Sequence, residues 1–244
     1  MAVSIEKKYQ KLTDTEHVLL RPGMYVGSIK PHTEEIFLPM KGKDQFQLTE
    51  VTYNPGFLKL FDEIVSNSVD EHKRNVKLNK VKVDIDMSTG LISIWDNGGI
   101  PVEIHKEYDE WVPEMIFSNL KAGSNFDDTE DRIVVGTNGV GSTLTNIFSK
   151  EFIIETCDSK KHFTQTFKNN MSERTKAKIT KKKTAFTKIT YLTDFERFGL
   201  TGIDKNHYLM ITKRLIDIAA CNPTLKIFLN NKPIAFRTFK DYAS

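Results

Sequence analysis

Glu63 and Asn67 lie four residues apart in a segment that continues with Asp70 and Glu71, and these residue types could act on a phosphate anhydride. Hydrolysis of a γ-phosphate requires an oriented water, a cation that neutralises the phosphates and a backbone cradle. Glu63 can orient and deprotonate the water. Asn67 offers a neutral oxygen ligand to Mg²⁺, which takes its other oxygens from water and phosphate. Taken alone, this segment is explained more simply as the solvated acidic face of a helix.

A second polar segment follows a predicted strand and places a carboxylate beside two glycines. Asp96 and Asn97 come just before Gly98 and Gly99, with Ile100 next in the chain. The Asp96 carboxylate could accept a hydrogen bond from an exocyclic amine such as that of adenine, and glycines let the backbone approach the ring closely. In isolation, an ordinary Asn-Gly turn explains these residues equally well.

The third segment, residues 136–141, is a glycine-bearing loop that leads into a predicted helix. Backbone amides of such a loop, together with the start of the helix, make an anion site. Gly136 and Gly141 have P-loop spacing, but Ser142 stands where the lysine should be, so we reject that motif. Leu144 replaces the third glycine of the dinucleotide fingerprint. A loop that is merely flexible is the alternative here.

The stretch 123–141 as a whole is long, polar and rich in glycine, which is typical of a mobile lid over a ligand. The three segments together supply a base, a metal ligand, a purine acceptor and a phosphate cradle. They predict a chain that binds ATP and can hydrolyse it.

A helix must carry the first of these segments. From Phe57 onward, apolar residues recur at helical spacing, and Glu63, Asn67 and Asp70 fall within roughly 60° of one another at 100° per residue. A buried face and a polar face therefore meet along one predicted helix. The apolar arc consists of Phe57, Phe61, Ile64, Val65 and Val69.

Strands are predicted around that helix. Val81, Val83 and Ile85 alternate with polar residues, and Gly90 ends a turn before a returning strand at 91–95. Because helices are few and strands mostly consecutive, the pattern predicts an α+β fold. We expect a two-layer sandwich of a mixed, largely antiparallel sheet with helices on one face. Further strands are predicted at 152–156, 162–167, 187–191, 225–229 and 233–236, and helices at 113–120, 142–148 and 205–220.

Length and composition set the remaining bounds. The chain has 244 residues, of which 39% are apolar, enough for one large domain with a substantial core. A formal charge of +3 gives no signal for nucleic acid across the whole chain. Cys157 and Cys221 are too few for a disulfide framework, so we interpret both as reduced thiols of an intracellular protein. No apolar run is long enough to span a membrane.

One basic cluster stands out against this balanced charge. Residues 176–188 contain six lysines. They could form a stripe that faces DNA, but a solvated turn between two strands is the simpler interpretation.

Taken in order, these segments resemble the ATPase domain shared by gyrase, Hsp90, histidine kinases and MutL. The resemblance covers nearly the whole chain and is closest to type IIA DNA topoisomerases, with the T-even bacteriophage large subunits as the nearest branch. It implies the Bergerat type of ATPase fold. The matching segments are residues 9–12, 16–19, 21–28, 113–117, 124–128, 146–149, 195–199 and 236–242.

The resemblance assigns roles to individual positions. It implies that Glu63 is the general base, that Asn67 is the Mg²⁺ ligand and that Asp96 binds the adenine amine. Ser124 and Asn125 would contact ribose or phosphate. The loop residues Asn138, Gly139, Val140, Gly141 and Ser142 would wrap the triphosphate, and Asp70, Ile100, Gly136 and Thr143 complete the candidate contacts.

The chain departs from the family pattern at three places. Gly98 and Gly99 are adjacent, whereas the family usually has a residue between them, often Arg or Lys. Thr143 stands where eukaryotic relatives have Lys. The resemblance also leads us to expect that the transducer domain, whose Gln-x-Lys loop reaches the γ-phosphate in the family, and the DNA-cleavage domains are absent from this sequence. We therefore expect one nucleotide-binding domain over 1–244, with 1–28 as an N-terminal strap and weak hydrolysis by this fragment alone.

The resemblance also implies partners. ATP and Mg²⁺ would bind the helix and the lid, and two protomers would close by exchanging N-terminal straps. The full-length enzyme would bind double-stranded DNA and other topoisomerase subunits. Its compartment would be the cytoplasm, which is the host cytoplasm for a phage protein, or the nucleus for a eukaryotic one. The alternatives are another ATP-driven clamp of the MutL or Hsp90 kind, and a nucleotide-dependent dimerisation module without turnover.

Overall fold

A nine-stranded sheet forms one layer of the molecule, and helices pack on one of its faces. The computed structural model describes residue 5, residue 9 and residues 11–39, 46–75, 77–122 and 139–234. Its helices are α1 (Asp14–Leu20), α2 (Pro55–Arg74), α3 (Val112–Ser118), α4 (Gly141–Ile147) and α5 (Lys205–Cys221). Its strands are β1 (His32–Pro39), β2 (Phe46–Tyr53), β3 (Lys80–Asp86), β4 (Leu91–Asp96), β5 (Ile104–His105), β6 (Glu110–Trp111), β7 (Ser149–Cys157), β8 (Lys161–Lys168), β9 (Glu173–Arg174), β10 (Lys178–Lys181), β11 (Phe186–Thr193), β12 (Lys226–Leu229) and β13 (Lys232–Pro233).

The sheet is mixed and largely antiparallel, as predicted. Its strand order is β10-β8-β7-β11-β4-β3-β12-β13, with β9 paired to β8. Only the β3–β12 pair among these strands is parallel. The strands β1 and β2 form a separate hairpin, and β5 pairs with β6. The predicted α+β class and two-layer architecture are therefore confirmed.

The long helix α2 carries the first polar segment. The Asn54 side chain accepts the backbone N–H of Phe57 at 3.0 Å, and Pro55 occupies the first turn, where its missing N–H costs nothing. Three basic residues lie in the last turn, which suits the helix dipole. The apolar arc is buried as predicted, at Phe57, Phe61, Ile64, Val65 and Val69.

The predicted alternation along β3 is also confirmed. Val81, Val83 and Ile85 are buried against the helical layer, whereas Asp84 and Asp86 on the other face are exposed. The paired strand β4 points Ile92, Ile94 and Asp96 in the same direction. One charged residue, Asp96, therefore lies in an otherwise apolar row at the end of a central strand.

The N-terminal quarter contains elements that the pattern did not predict. Beside the predicted turn, now a 3₁₀ helix over Pro22–Met24, α1 forms with a capping box between Thr13 and Glu16. The β1–β2 hairpin was also missed, because its outward pair Phe37 and Leu48 is half-exposed and breaks a simple apolar alternation. Val18 of α1 is buried in the core.

No helix within the described ranges is both long and apolar enough to cross a membrane. Cys157 is buried, Cys221 is exposed, and both thiols are free.

Candidate functional site

A cavity of about 530 Å³ opens between α2, the end of β4 and the start of α4. It collects the predicted residues from all three polar segments. The predicted residues that line it are Glu63, Asn67, Asp70, Asp96, Ile100, Gly139, Val140, Gly141 and Ser142. Residues that are far apart in the sequence therefore line the same cavity.

Asp96 supplies a buried acceptor at one end of this cavity. The Ser68 hydroxyl donates to its Oδ2 at 2.7 Å, and the Gly98 backbone N–H donates to its Oδ1 at 2.9 Å. The pKa of Asp96 is raised to about 6, chiefly by burial and to a smaller extent by the nearby Glu71 charge, while hydrogen bonds from Ser68, Gly98 and the Thr187 backbone lower it. A carboxylate has about four acceptor sites, and these three bonds leave one for a ligand amine.

The turn after Asp96 is held by close contacts at both glycines. A β-carbon at Gly98 would come within 2.7 Å of a Leu78 methyl group, and one at Gly99 would overlap the backbone carbonyl of Cys157. The Asn97 side chain fastens the turn to the start of β3, because its Oδ1 accepts the backbone N–H of Lys80 at 2.9 Å. The turn therefore closes with Gly98 and Gly99 adjacent, without the additional residue that the family usually has between them.

Glu63 and Asn67 lie one turn apart on the wall that α2 contributes. The Glu63 side chain is 22% exposed, and its Oε1 forms an ion pair with Lys59. Asn67 is exposed at the cavity surface. Within the residues described, no three His, Cys, Asp or Glu side chains cluster as a metal cage. A Mg²⁺ ion held by Asn67 would therefore take its remaining ligands from water and phosphate, as this ion commonly does.

Apolar side chains form the walls between these polar groups. Ile94 and Ile189 come from neighbouring central strands, and Ile116 and Phe117 come from α3. Val140 closes the wall beside the start of α4. Such a mostly apolar cleft with a few convergent polar groups is typical of a small-molecule site and can accept the flat faces of a purine.

Thr143 is the described candidate that does not line the cavity. It is fully buried, and its hydroxyl donates to the Asn119 carbonyl at 3.0 Å. That bond ties α4 to the end of α3, and the Thr143 hydroxyl points away from the cavity. The candidates Ser124, Asn125, Gly136 and Asn138, and most of the predicted lid, lie outside the described residues.

Three further residues of this site were not identified from the sequence. Ser68 holds the Asp96 carboxylate, Lys59 pairs with Glu63, and Thr187 of β11 lies opposite Asp96 in the sheet. Lys59 could have been found, since it precedes Glu63 by one helical turn. Ser68 and Thr187 gave no such signal, because their role depends on which strands pair.

Comparison with known proteins gives consistent matches over nearly the whole chain. DNA topoisomerase 2 of Arabidopsis thaliana is 44% identical over 245 residues, which cover 98% of this chain and 16% of that protein. The ATPase region of Saccharomyces cerevisiae topoisomerase II superposes with a TM-score of 0.94 at 36% identity, over 98% of this chain and 65% of that one. The ATPase and transducer domains of DNA topoisomerase II from Balamuthia mandrillaris give 0.95 at 37%, over 99% and 64%.

No protein-family model matches the chain. The chain spans about a sixth of the length of the curated relative from Arabidopsis. These matches confirm the predicted resemblance to type IIA DNA topoisomerases. They do not confirm the prediction that the bacteriophage enzymes are the nearest branch.

Proposed function

Since this chain is a homologue of the ATPase region of type II DNA topoisomerases, we propose that its cavity binds Mg-ATP. The adenine lies at Asp96, and the triphosphate lies between α2 and the start of α4. One observation carries this proposal: the buried Asp96 acceptor and the Glu63–Asn67 pair line the same cavity. Ser68, which holds Asp96, follows Glu63 by five residues, which is roughly 7.5 Å along α2.

Asp96 gives the site its preference for a base. An ionised carboxylate accepts a hydrogen bond from the amine at position 6 of adenine. Guanine has a carbonyl oxygen at that position, which would face the carboxylate without a proton between them. Such a mismatch leaves buried acceptors unpaired and costs more than a lost apolar contact.

Glu63 and Asn67 act on the other end of the nucleotide. Asn67 would hold Mg²⁺, which when bound neutralises phosphate charge. The Glu63 carboxylate orients a water beside the γ-phosphate and takes its proton. Backbone N–H groups of Gly139 to Ser142 would bind the phosphate oxygens, and the place of these residues in the cavity wall supports this role.

In a longer protein, this domain would drive the strand-passage reaction of a type II topoisomerase. We propose that ATP binding closes a homodimer through the N-terminal straps, and that DNA and other topoisomerase subunits are engaged elsewhere in that protein. The support is the match to relatives that are several times longer than this chain. The host or cellular compartment stays a prediction of the resemblance.

Titration calorimetry tests the binding proposal directly. We expect Mg-ATP, or a non-hydrolysable analogue, to bind this chain more tightly than the guanine nucleotide. Asn67→Ala should weaken binding only when Mg²⁺ is present. Asp84→Asn is the matched control for Asp96→Asn, because Asp84 is an exposed carboxylate on the adjacent strand β3. Equal affinity for ATP and GTP would contradict the assignment of Asp96.

Hydrolysis distinguishes the ATPase from a dimerisation module without turnover. In the longer protein, Glu63→Gln should retain Mg-ATP binding and lose hydrolysis, because the amide cannot take a proton from water. Unchanged hydrolysis by this variant would favour the non-catalytic module.

A further inference from the structure

We infer that Gly141 is a positioning residue for Glu63, and this inference rests on the proposed function of Glu63 as the base. The absence of a side chain at Gly141 makes the space in which the Glu63 carboxylate lies. A β-carbon built at Gly141 would overlap Oε2 and Cδ of Glu63 and would approach its Cγ to 3.0 Å. All three nearest atoms belong to Glu63. A side chain at position 141 would therefore contact the Glu63 side chain first, and not the backbone of a neighbouring segment.

Backbone conformation does not explain the glycine. Gly139, two residues earlier, has a φ of +59°, a left-handed conformation that favours glycine. Gly141 is not among the residues with positive φ, and it is the first residue of α4. Alanine is the better residue at an ordinary helical position. Something other than φ therefore favours glycine at 141, and the contact with Glu63 supplies the reason.

The same contact is fixed from both sides. The Thr145 hydroxyl of α4 donates to the Leu60 carbonyl of α2 at 3.0 Å, which sets how the two helices lie against each other. On α2, Lys59 engages Oε1 of Glu63. The carboxylate therefore lies with Oε1 toward Lys59 and Oε2 toward Gly141, at the end of the loop that we assign to the phosphates.

This arrangement leaves Oε2 as the oxygen that takes the proton from water. A methyl group at position 141 must either turn the carboxylate away or push α4 from α2. Displacement of a reacting group by about 1 Å can lower a rate by about a hundredfold. Gly141→Ala should therefore impair turnover more than nucleotide binding.

A double-mutant cycle on stability tests the contact without any nucleotide. We would compare urea unfolding of the chain with Gly141→Ala, Glu63→Ala and both changes together. Gly141→Ala should have a less favourable effect on the midpoint in the parent chain than in the Glu63→Ala background, because the added methyl group must displace the Glu63 carboxylate from its position beside Lys59. In the Glu63→Ala background, the same change should raise the midpoint, because alanine suits a helix better than glycine. An equal change of the midpoint in both backgrounds, whether a fall or a rise, would overturn the inference.

A second cycle tests the role in the reaction. We expect Gly141→Ala to slow single-turnover hydrolysis of Mg-ATP at least about tenfold, and to slow it by a larger factor than it weakens the Kd for Mg-AMPPNP. In the Glu63→Ala background, it should slow the residual hydrolysis no further. A Kd weakened more than about tenfold in both backgrounds would assign Gly141 to the triphosphate and overturn the inference. Failure of the parent chain to bind Mg-ATP would instead refute the proposed function, while the unfolding cycle would still report the contact.

Discussion

Asp96→Asn should stabilise the fold while it disables the nucleotide site. The carboxylate is buried, and its pKa of about 6 lies above the ordinary value of 3.8. A raised pKa means that the folded protein favours the protonated form. The cost of ionisation is therefore absent below pH 3.8, grows between 3.8 and about 6, and is constant above that range. At 1.36 kcal/mol per pKa unit, the full cost is about 3 kcal/mol.

The amide can preserve the local hydrogen bonds. Its Oδ1 can still accept the Gly98 N–H, and its Nδ2 can donate to the Ser68 hydroxyl oxygen, which reverses the present direction of that bond. We therefore expect the variant to gain about 3 kcal/mol in free energy of unfolding at pH 8 and about 0.5 kcal/mol at pH 4. Its affinity for ATP should fall at least about tenfold, since a charged acceptor is lost.

Urea unfolding at both pH values, with calorimetry of Mg-ATP binding at pH 8, measures these effects. The control Asp84→Asn removes an exposed carboxylate and should change stability by less than about 0.5 kcal/mol at either pH. A variant that is less stable than the parent at pH 8 would refute the reasoning. So would a gain of the same size at pH 4, because it could not come from the ionisation of Asp96.

Other consequences can be checked on the same chain. Asn54→Ala should lower the free energy of unfolding by about 2–3 kcal/mol, because it removes the α2 cap and leaves two backbone carbonyls without their hydrogen bonds from the Asn54 amide. Urea unfolding measures this loss, and Asn206→Ala, which removes one exposed hydrogen bond, is the control. Calorimetry between pH 5 and 8 should show ATP affinity falling below about pH 6 as Asp96 is protonated, and Asp96→Asn should lack this contribution. If residues 176–188 face DNA, affinity for a duplex in fluorescence anisotropy should fall steeply with salt; no salt-dependent binding would leave them as a solvated turn.

Periodicity was a sufficient guide to the elements that carry the site. Helical spacing predicted α2 and its buried arc, and alternation predicted the buried face of β3, because both patterns are local. The hairpin β1–β2 was missed because its outward pair Phe37 and Leu48 is apolar and half-exposed. The pattern could not distinguish this exposed pair from a buried one.

Site residues that depend on pairing between distant segments could not be predicted from the chain. Thr187 reaches the cavity only because β11 lies beside β4, and Ser68 matters only because Asp96 is opposite it. Thr143 shows the converse, since its place in the loop suggested a ligand contact but its hydroxyl bonds to the Asn119 carbonyl. The reason for a glycine at 141 likewise appears only when α4 lies against α2.

On the ribosome, β3 is complete long before its parallel partner exists. β3 ends at Asp86, whereas β12 ends at Leu229. At 5–20 residues per second, roughly 7 to 30 s of synthesis separate the two strands. Throughout that interval β3 has no neighbour on one side, and an open strand edge is a template for pairing with another chain. A nascent chain stalled before β12 should therefore depend on chaperones to stay monomeric, even though most of its ATP cavity has already been translated.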